Sequence, residues 1–190
     1  MERKSGVCGV VLAGGRGLRH DGRDKGLLEL RGRPLVAHVL AALKPQVDAL
    51  VINANRNREQ YEALGARVVG DARPEFQGPL AGMSSAFAAT GEEWLVFAPC
   101  DAPGVPADYV QRLLASSAKA AYAQAGLDPL YTCCLLHRSL APRLEAALDS
   151  EQRAVHKFLE AQHAAAVPME WPAALRNLNT AEALAAAERA

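Results

Sequence analysis

The chain has 190 residues, half of them hydrophobic, which is enough for one domain with a sizeable core. Its 21 basic and 21 acidic side chains balance, which argues against a broad electrostatic grip on nucleic acid or on an anionic membrane. No apolar run approaches the ~20 residues of a membrane span. The run after Met1-Glu2-Arg3-Lys4 is too short, and too abruptly ended by glycine and arginine, for a secretory signal.

Apolar runs and helical spacing predict alternating strands and helices. Val7–Leu12 reads as a strand, followed by Gly14, Gly15 and Gly17 with Arg16, Arg19 and Lys25 nearby. Pro34–Leu43 has Leu35, Val39 and Leu43 on one helical face. Leu50–Ala54 is a strand, Arg58–Leu64 a short helix, and Arg67–Val69 a strand ending at Gly70-Asp71. Leu80–Ala89 is helical, Trp94–Ala98 a strand ending at Pro99-Cys100-Asp101, and Pro106–Ala115 a helix with proline at its start. Ala120–Gln124 and Tyr131–Leu136 are strands whose separation is too short for a parallel crossover, so one of them runs antiparallel. Helices at Leu140–Leu148 and Ala154–Gln162, a short strand at Val167–Trp171 and a helix at Ala181–Glu188 with Thr180 as N-cap complete the chain. The pattern predicts an α/β fold: three αβα layers around a doubly wound, mostly parallel sheet with one antiparallel strand.

Such folds bind ligands beyond the carboxyl ends of their strands. There the first four strands deliver Gly14-Gly15, Asn53-Ala54-Asn55, Gly70-Asp71 and Asp101. Glycines let a backbone approach a ligand closely. Successive N–H groups make an anion-binding concavity, and arginine and lysine neutralise phosphate charge. The first loop is neither a Walker A loop nor Gly-x-Gly-x-x-Gly, and taken alone it reads equally as a tight turn. Asp101 directly after an apolar strand suits Mg²⁺, which takes carboxylates plus substrate phosphates, although Asp-x-Pro is also a turn signal. Lys25 lies where a loop could fold back over phosphates. Asn53 and Asp71 could bond a base or a ribose, and Gly78-Pro79-Leu80-Ala81-Gly82 could form a lip at the same edge.

Ser84, Ser85 and Thr132 have no histidine or aspartate at suggestive spacing. Phosphoryl or nucleotidyl transfer by positioning and charge neutralisation therefore fits better than covalent catalysis. Cys8, Cys100, Cys133 and Cys134 form no Cys-x-x-Cys pair, and the five histidines have no zinc spacing. A reducing cytoplasm without disulfides is expected.

Leu12-Ala13-Gly14-Gly15, Arg19 and Asp24-Lys25-Gly26-Leu27-Leu28-Glu29-Leu30 together resemble the signature of the molybdenum cofactor guanylyltransferases, the MobA family. Further matches follow in order: Gly32-Arg33-Pro34-Leu35, Val51 to Arg56, Asp71, Gly78 to Met83, Pro99 to Pro103, and Asn177-Leu178-Asn179-Thr180. The resemblance implies a nucleotide-diphospho-sugar-transferase-like fold. It also implies transfer of GMP from GTP to molybdenum-bound molybdopterin with Mg²⁺, releasing pyrophosphate. Leu12, Ala13 and Gly14 would then hold GTP through the backbone, completed by Lys25, Asn53, Asp71 and Asp101. Asp101 would bind Mg²⁺, and Arg19 would neutralise the triphosphate. The N-terminal half would carry the GTP and metal site. The C-terminal half, around Arg153 and Asn179, would face the pterin. Molybdoenzymes or their chaperones would be partners, and a monomer is expected.

The sequence departs from the family pattern at Arg19-His20-Asp21, at Asn179-Thr180-Ala181, and at Leu127-Asp128-Pro129 in the region of a usual His-Pro pair. Competing readings are a molybdopterin cytidylyltransferase, a sugar-phosphate nucleotidyltransferase, and a non-catalytic GTP-binding module that delivers cofactor. Cytidylyltransferase relatives typically show Leu-Ala-Ala-Gly in the first loop, whereas Ala13 here precedes Gly14-Gly15.

Overall fold

The computed structural model describes residues 6–14, 24–73, 78–176, 178 and 180–189. Its main sheet contains β1 (Val7–Leu12), β4 (Ala49–Asn53), β5 (Arg67–Val69), β6 (Trp94–Pro99), β7 (Ala120–Ala125), β8 (Asp128–His137) and β9 (Ala165–Pro168). A separate two-stranded hairpin pairs β2 (Glu29–Leu30) with β3 (Arg33–Pro34). The helices are α1 (Leu35–Leu43), α2 (Arg58–Glu62), α3 (Pro79–Ala89), α4 (Tyr109–Ala115), α5 (Ala141–Asp149), α6 (Val155–Ala161) and α7 (Ala181–Arg189).

The seven-stranded sheet runs β5-β4-β1-β6-β8-β7-β9. β8 is antiparallel to both β6 and β7, while β7 is parallel to β9. One strand is therefore reversed, as the short connection after Ala120–Gln124 requires. The residues between the two expected strands are mostly strand themselves: Ala125 pairs with Asp128 across a turn at Gly126-Leu127, and Gly126 takes a left-handed φ of 63°. Leu127, at the tip, is 94% exposed.

Alternation along β1 builds the two faces. Val7 and Val11 join a core with Val36 and Val39 of α1, Tyr61 of α2 and Tyr109 and Leu113 of α4. Cys8, Val10 and Leu12 point the other way, into a core with Leu80 and Met83 of α3, Leu144 of α5 and Phe158 of α6. A strand buried on both faces carries a continuous apolar run, which is why Val7–Leu12 is legible from composition. A third, smaller cluster packs Ala187 of α7 and Leu178 against Leu30 and Leu35, and the Glu188 carboxylate accepts the Arg31 N–H at 2.6 Å.

Two expectations shift. The helix expected from Pro106 begins at Tyr109; Pro106 lies in the preceding turn, where its carbonyl accepts the Tyr109 N–H. The strand expected at Val167–Trp171 is Ala165–Pro168. Trp171 is apolar because it packs edge-on against Tyr109, at 5.7 Å between ring centroids, and not because it extends the strand. Thr180 does cap α7, its hydroxyl accepting the Ala183 N–H at 3.1 Å. Among the described residues no helix is long and apolar enough to cross a membrane.

Candidate active site

Register brings the expected residues to one edge. Leu12 pairs with Asn53 on one side and Pro99 on the other, and Asn53 pairs with Val69. Gly14, Asn55, Asp71 and Asp101 each lie two residues beyond this level, so parallel pairing delivers all four to the same crevice. The Leu12 carbonyl accepts the Cys100 N–H at 3.0 Å, and the Ala13 N–H donates to the Asn53 carbonyl at 2.8 Å. These bonds tie the first loop to both neighbours.

Asn53 is buried and serves as a hub. Its Nδ2 donates to the Val69 carbonyl at 3.2 Å and to Asp71 Oδ1 at 2.8 Å. Its Oδ1 occupies the space that a Cβ at Gly82 would need. Gly82 of α3 is thus a close-approach glycine, and Gly82→Ala would push the hub aside. Asn55 holds the other side of Asp71: its Nδ2 donates to Asp71 Oδ2 at 2.7 Å, and its Oδ1 accepts the Asp71 N–H at 2.7 Å. Two neutral amides therefore orient the Asp71 carboxylate, and each oxygen keeps a second lone pair for a ligand.

Lys25 and Asp101 meet across the crevice in an ion pair, with side chains 21% and 11% exposed. Asp101 comes off the end of β6. Lys25 opens a short 3₁₀ turn, Lys25–Leu27, which Asp24 caps. Asp24 Oδ1 accepts the Gly26 N–H at 3.2 Å and the Tyr61 hydroxyl at 2.5 Å, while Asp24 Oδ2 accepts from Asn57 Nδ2 at 2.9 Å. Gly26 rests directly on the Tyr61 ring, where a Cβ would collide with the hydroxyl. Burial first, then the bond to Asp24, pushes the Tyr61 hydroxyl far above its ordinary pKa, so it stays a donor.

Sequence reasoning brought Asn55 to this edge and Asp24 into the signature without giving either a role, and it missed Asn57 and Tyr61. An aspartate before a turn is a legible cap signal, but the Tyr61 contact crosses 37 positions. Tyr61→Phe keeps the ring and removes one charge-assisted bond. A loss of about 1–2 kcal/mol in unfolding free energy is expected, with a raised KM for nucleotide as the Lys25 turn loosens. Denaturant titration and steady-state kinetics measure both; an unchanged midpoint and KM would show that the Tyr61–Asp24 bond does not hold the turn.

Among the described residues no covalent nucleophile emerges at the edge. Burial, then the charge of Asp101, pushes the Cys100 thiol well up, so it remains protonated. Ser85 donates to the Ala81 carbonyl and accepts the Ala72 N–H, and Ser84 donates to Glu145. Among the described residues no group of three or more His, Cys, Asp or Glu side chains could enclose a metal ion. One carboxylate is compatible with Mg²⁺, an ion that keeps waters and takes its other ligands from bound phosphates.

The Leu178 N–H donates to the Asp101 carbonyl at 2.9 Å, so the C-terminal segment crosses the Asp101 turn. Arg153 lies beside the Gly78 lip: a Cβ at Gly78 would come within 3.8 Å of the Arg153 carbonyl oxygen. Gly15, Arg16, Gly17, Arg19 and Asn179 lie outside the described residues.

Residues 9–167 match the MobA-like NTP transferase domain. A mostly parallel αβα sheet with this match defines the protein as a nucleotidyltransferase. A molybdenum cofactor guanylyltransferase from Serratia proteamaculans (strain 568) is 44% identical over 179 residues, covering 93% of this chain and 91% of that protein. The chain belongs to the molybdenum cofactor guanylyltransferase family.

Solved structures agree on the fold. The molybdopterin-guanine dinucleotide biosynthesis protein A of Archaeoglobus fulgidus superposes with a TM-score of 0.73 at 26% identity, covering 96% of this chain and 97% of that one. The 2-C-methyl-D-erythritol 4-phosphate cytidylyltransferase of Thermus thermophilus gives a TM-score of 0.70 at 17% identity, covering 95% and 96%. A cytidylyltransferase shares the fold, so the fold alone does not set the base.

Proposed function

We propose that the protein transfers GMP from GTP to the terminal phosphate of molybdenum-bound molybdopterin, forming the guanine dinucleotide cofactor and pyrophosphate. The observation that carries this reading is the Lys25–Asp101 pair at the edge where Leu12–Gly14, Asn53 and Asp71 converge, in a chain of this family. The backbone of Leu12, Ala13 and Gly14 lies along the nucleotide. Asn53 and Asp71 contact its nucleoside end, and Lys25 and Arg19 its phosphates. The C-terminal half, with Arg153 and Asn179, meets the acceptor.

An acceptor phosphate oxygen attacks the α-phosphorus of GTP. A new P–O–P bond forms there as the bond to the β-phosphate breaks, and pyrophosphate leaves with its electron pair. Lys25 stabilises charge on the departing phosphates. The reaction needs positioning and charge neutralisation, which this edge offers, and no protein nucleophile. Asp101 is the residue that would hold Mg²⁺, which supplies Lewis-acid neutralisation of triphosphate charge when bound.

The test is pyrophosphate release on mixing the protein with GTP, Mg²⁺ and molybdenum-bound molybdopterin. GTP binding without pyrophosphate would instead identify a delivery module. Lys25→Ala is expected to lower kcat/KM for GTP by about 2 kcal/mol, roughly thirtyfold, through loss of a charge-assisted phosphate contact. Affinity and rate both within about twofold of wild type would remove Lys25 from the phosphate-binding role and leave it as a structural partner of Asp101.

A further inference from the structure

Beyond Asp101 in the strand order, on the face covered by α5 and α6, three aromatic rings contact one another in sequence. Tyr122 of β7 and Tyr131 of β8 have centroids 5.0 Å apart with planes inclined by 46°; Tyr131 and His156 of α6 are 5.7 Å apart at 42°. Both tyrosines are half-buried and His156 is exposed. β8 runs opposite to β6, with Phe97 facing Cys134. Tyr131, nearer the start of β8, therefore lies toward the end of β6 that delivers Asp101. α6 begins at the same edge, directly after Arg153, whose carbonyl borders Gly78.

Packing alone would explain apolar side chains at these positions, but two features exceed it. Among the described residues neither tyrosine hydroxyl has a hydrogen-bond partner. The Arg153 guanidinium engages the Leu148 and Gln152 carbonyls through Nη1 only, at 2.9 and 3.3 Å, which leaves donors for something else. A row of π faces edged by free polar groups suits a planar, nitrogen-rich heterocycle. Such a ring stacks on aromatic faces while its edge takes hydrogen bonds.

We propose that Tyr131, flanked by Tyr122 and His156, is the stacking platform for the pterin ring of the acceptor, with Arg153 facing the ring's polar edge. This rests on the acceptor reading above and adds the residues that select a heteroaromatic acceptor over a sugar phosphate. The platform lies across Asp101 from the Asn53–Asp71 hub, so it bears on acceptor binding and not on nucleotide binding.

Tyr131→Leu keeps the buried apolar area and removes the π face, whereas Tyr131→Phe keeps the face and removes the hydroxyl. Transfer kinetics with molybdenum-bound molybdopterin and GTP give both KM values, and the fluorescence of an oxidised pterin with a phosphorylated side chain reports stacking by quenching. With Tyr131→Leu, acceptor KM rises about tenfold or more and quenching is lost. GTP KM and melting temperature hold, and Tyr131→Phe retains most of the quenching. Unchanged acceptor KM and quenching in Tyr131→Leu and in His156→Ala overturn the platform while leaving the acceptor reading standing. Equal rises in acceptor and GTP KM also overturn it, because the rings then act through general structure. A wild-type protein that neither quenches the pterin nor transfers GMP overturns both.

Discussion

Asp101→Asn is expected to lower turnover on the order of a thousandfold or more while the chain folds as before. The residue is buried at the end of β6, in an ion pair with Lys25. Asparagine matches its shape and removes its charge. The proposed metal contact goes with that charge, and so do several kcal/mol of transition-state stabilisation. The backbone at this position is untouched: the Leu178 N–H still meets its carbonyl, and Lys25 can donate to the amide oxygen. Melting temperature should therefore hold. Turnover measured at limiting Mg²⁺ decides the matter, and near-normal activity there would remove Asp101 from the metal-binding role.

The second large effect concerns the base. Guanine presents adjacent N–H donors where cytosine presents a ring acceptor, so a guanine site needs acceptors. Asp71 is one, with both oxygens oriented by Asn53 and Asn55 and each retaining a lone pair. Carbonyls near the Gly78–Leu80 lip are others. With CTP these acceptors would face another acceptor, and unpaired polar groups make such a mismatch costly. GTP is expected to be preferred over CTP by roughly a hundredfold or more on that ground. Competition between the two nucleotides with one pterin acceptor measures the ratio. Equal or better use of CTP would replace the guanylyl reading with a cytidylyl one and leave the fold intact. Asp71→Asn separates two roles for the carboxylate. A collapsed GTP/CTP ratio places it on the base; an unchanged ratio with both nucleotides weakened places it on the ribose.

Much of this edge is legible in the sequence because parallel strands obey a simple rule. Each apolar run ends where its chain meets the crevice, so the residues after Leu12, Asn53, Val69 and Pro99 had to converge. The alternation of strand and helix signals announced the sheet, and the short link before Tyr131 announced the reversed strand. The exact turn was less visible. Ala125 and Asp128 carry no strong strand propensity, and they pair because Gly126 can take a positive φ. The β2–β3 hairpin, at two residues per strand, is below the length at which periodicity registers.

The sequence by itself determined the layered α/β architecture, the family and the membership of Leu12–Gly14, Lys25, Asn53, Asp71 and Asp101 in one edge. The architecture and the strand-end residues follow from local composition and from the order of strand ends, whereas the family and the place of Lys25 follow from the motif resemblance. Only the tertiary structure decided what each polar group faces. Lys25 meets Asp101 across 76 positions, and Tyr61 holds Asp24 across 37. Asn53 fills the space left by a glycine on α3, and Tyr122, Tyr131 and His156 align from two strands and a helix. Such contacts join residues whose local patterns are independent of one another, so they exist only once the sheet order and the helix positions bring them together.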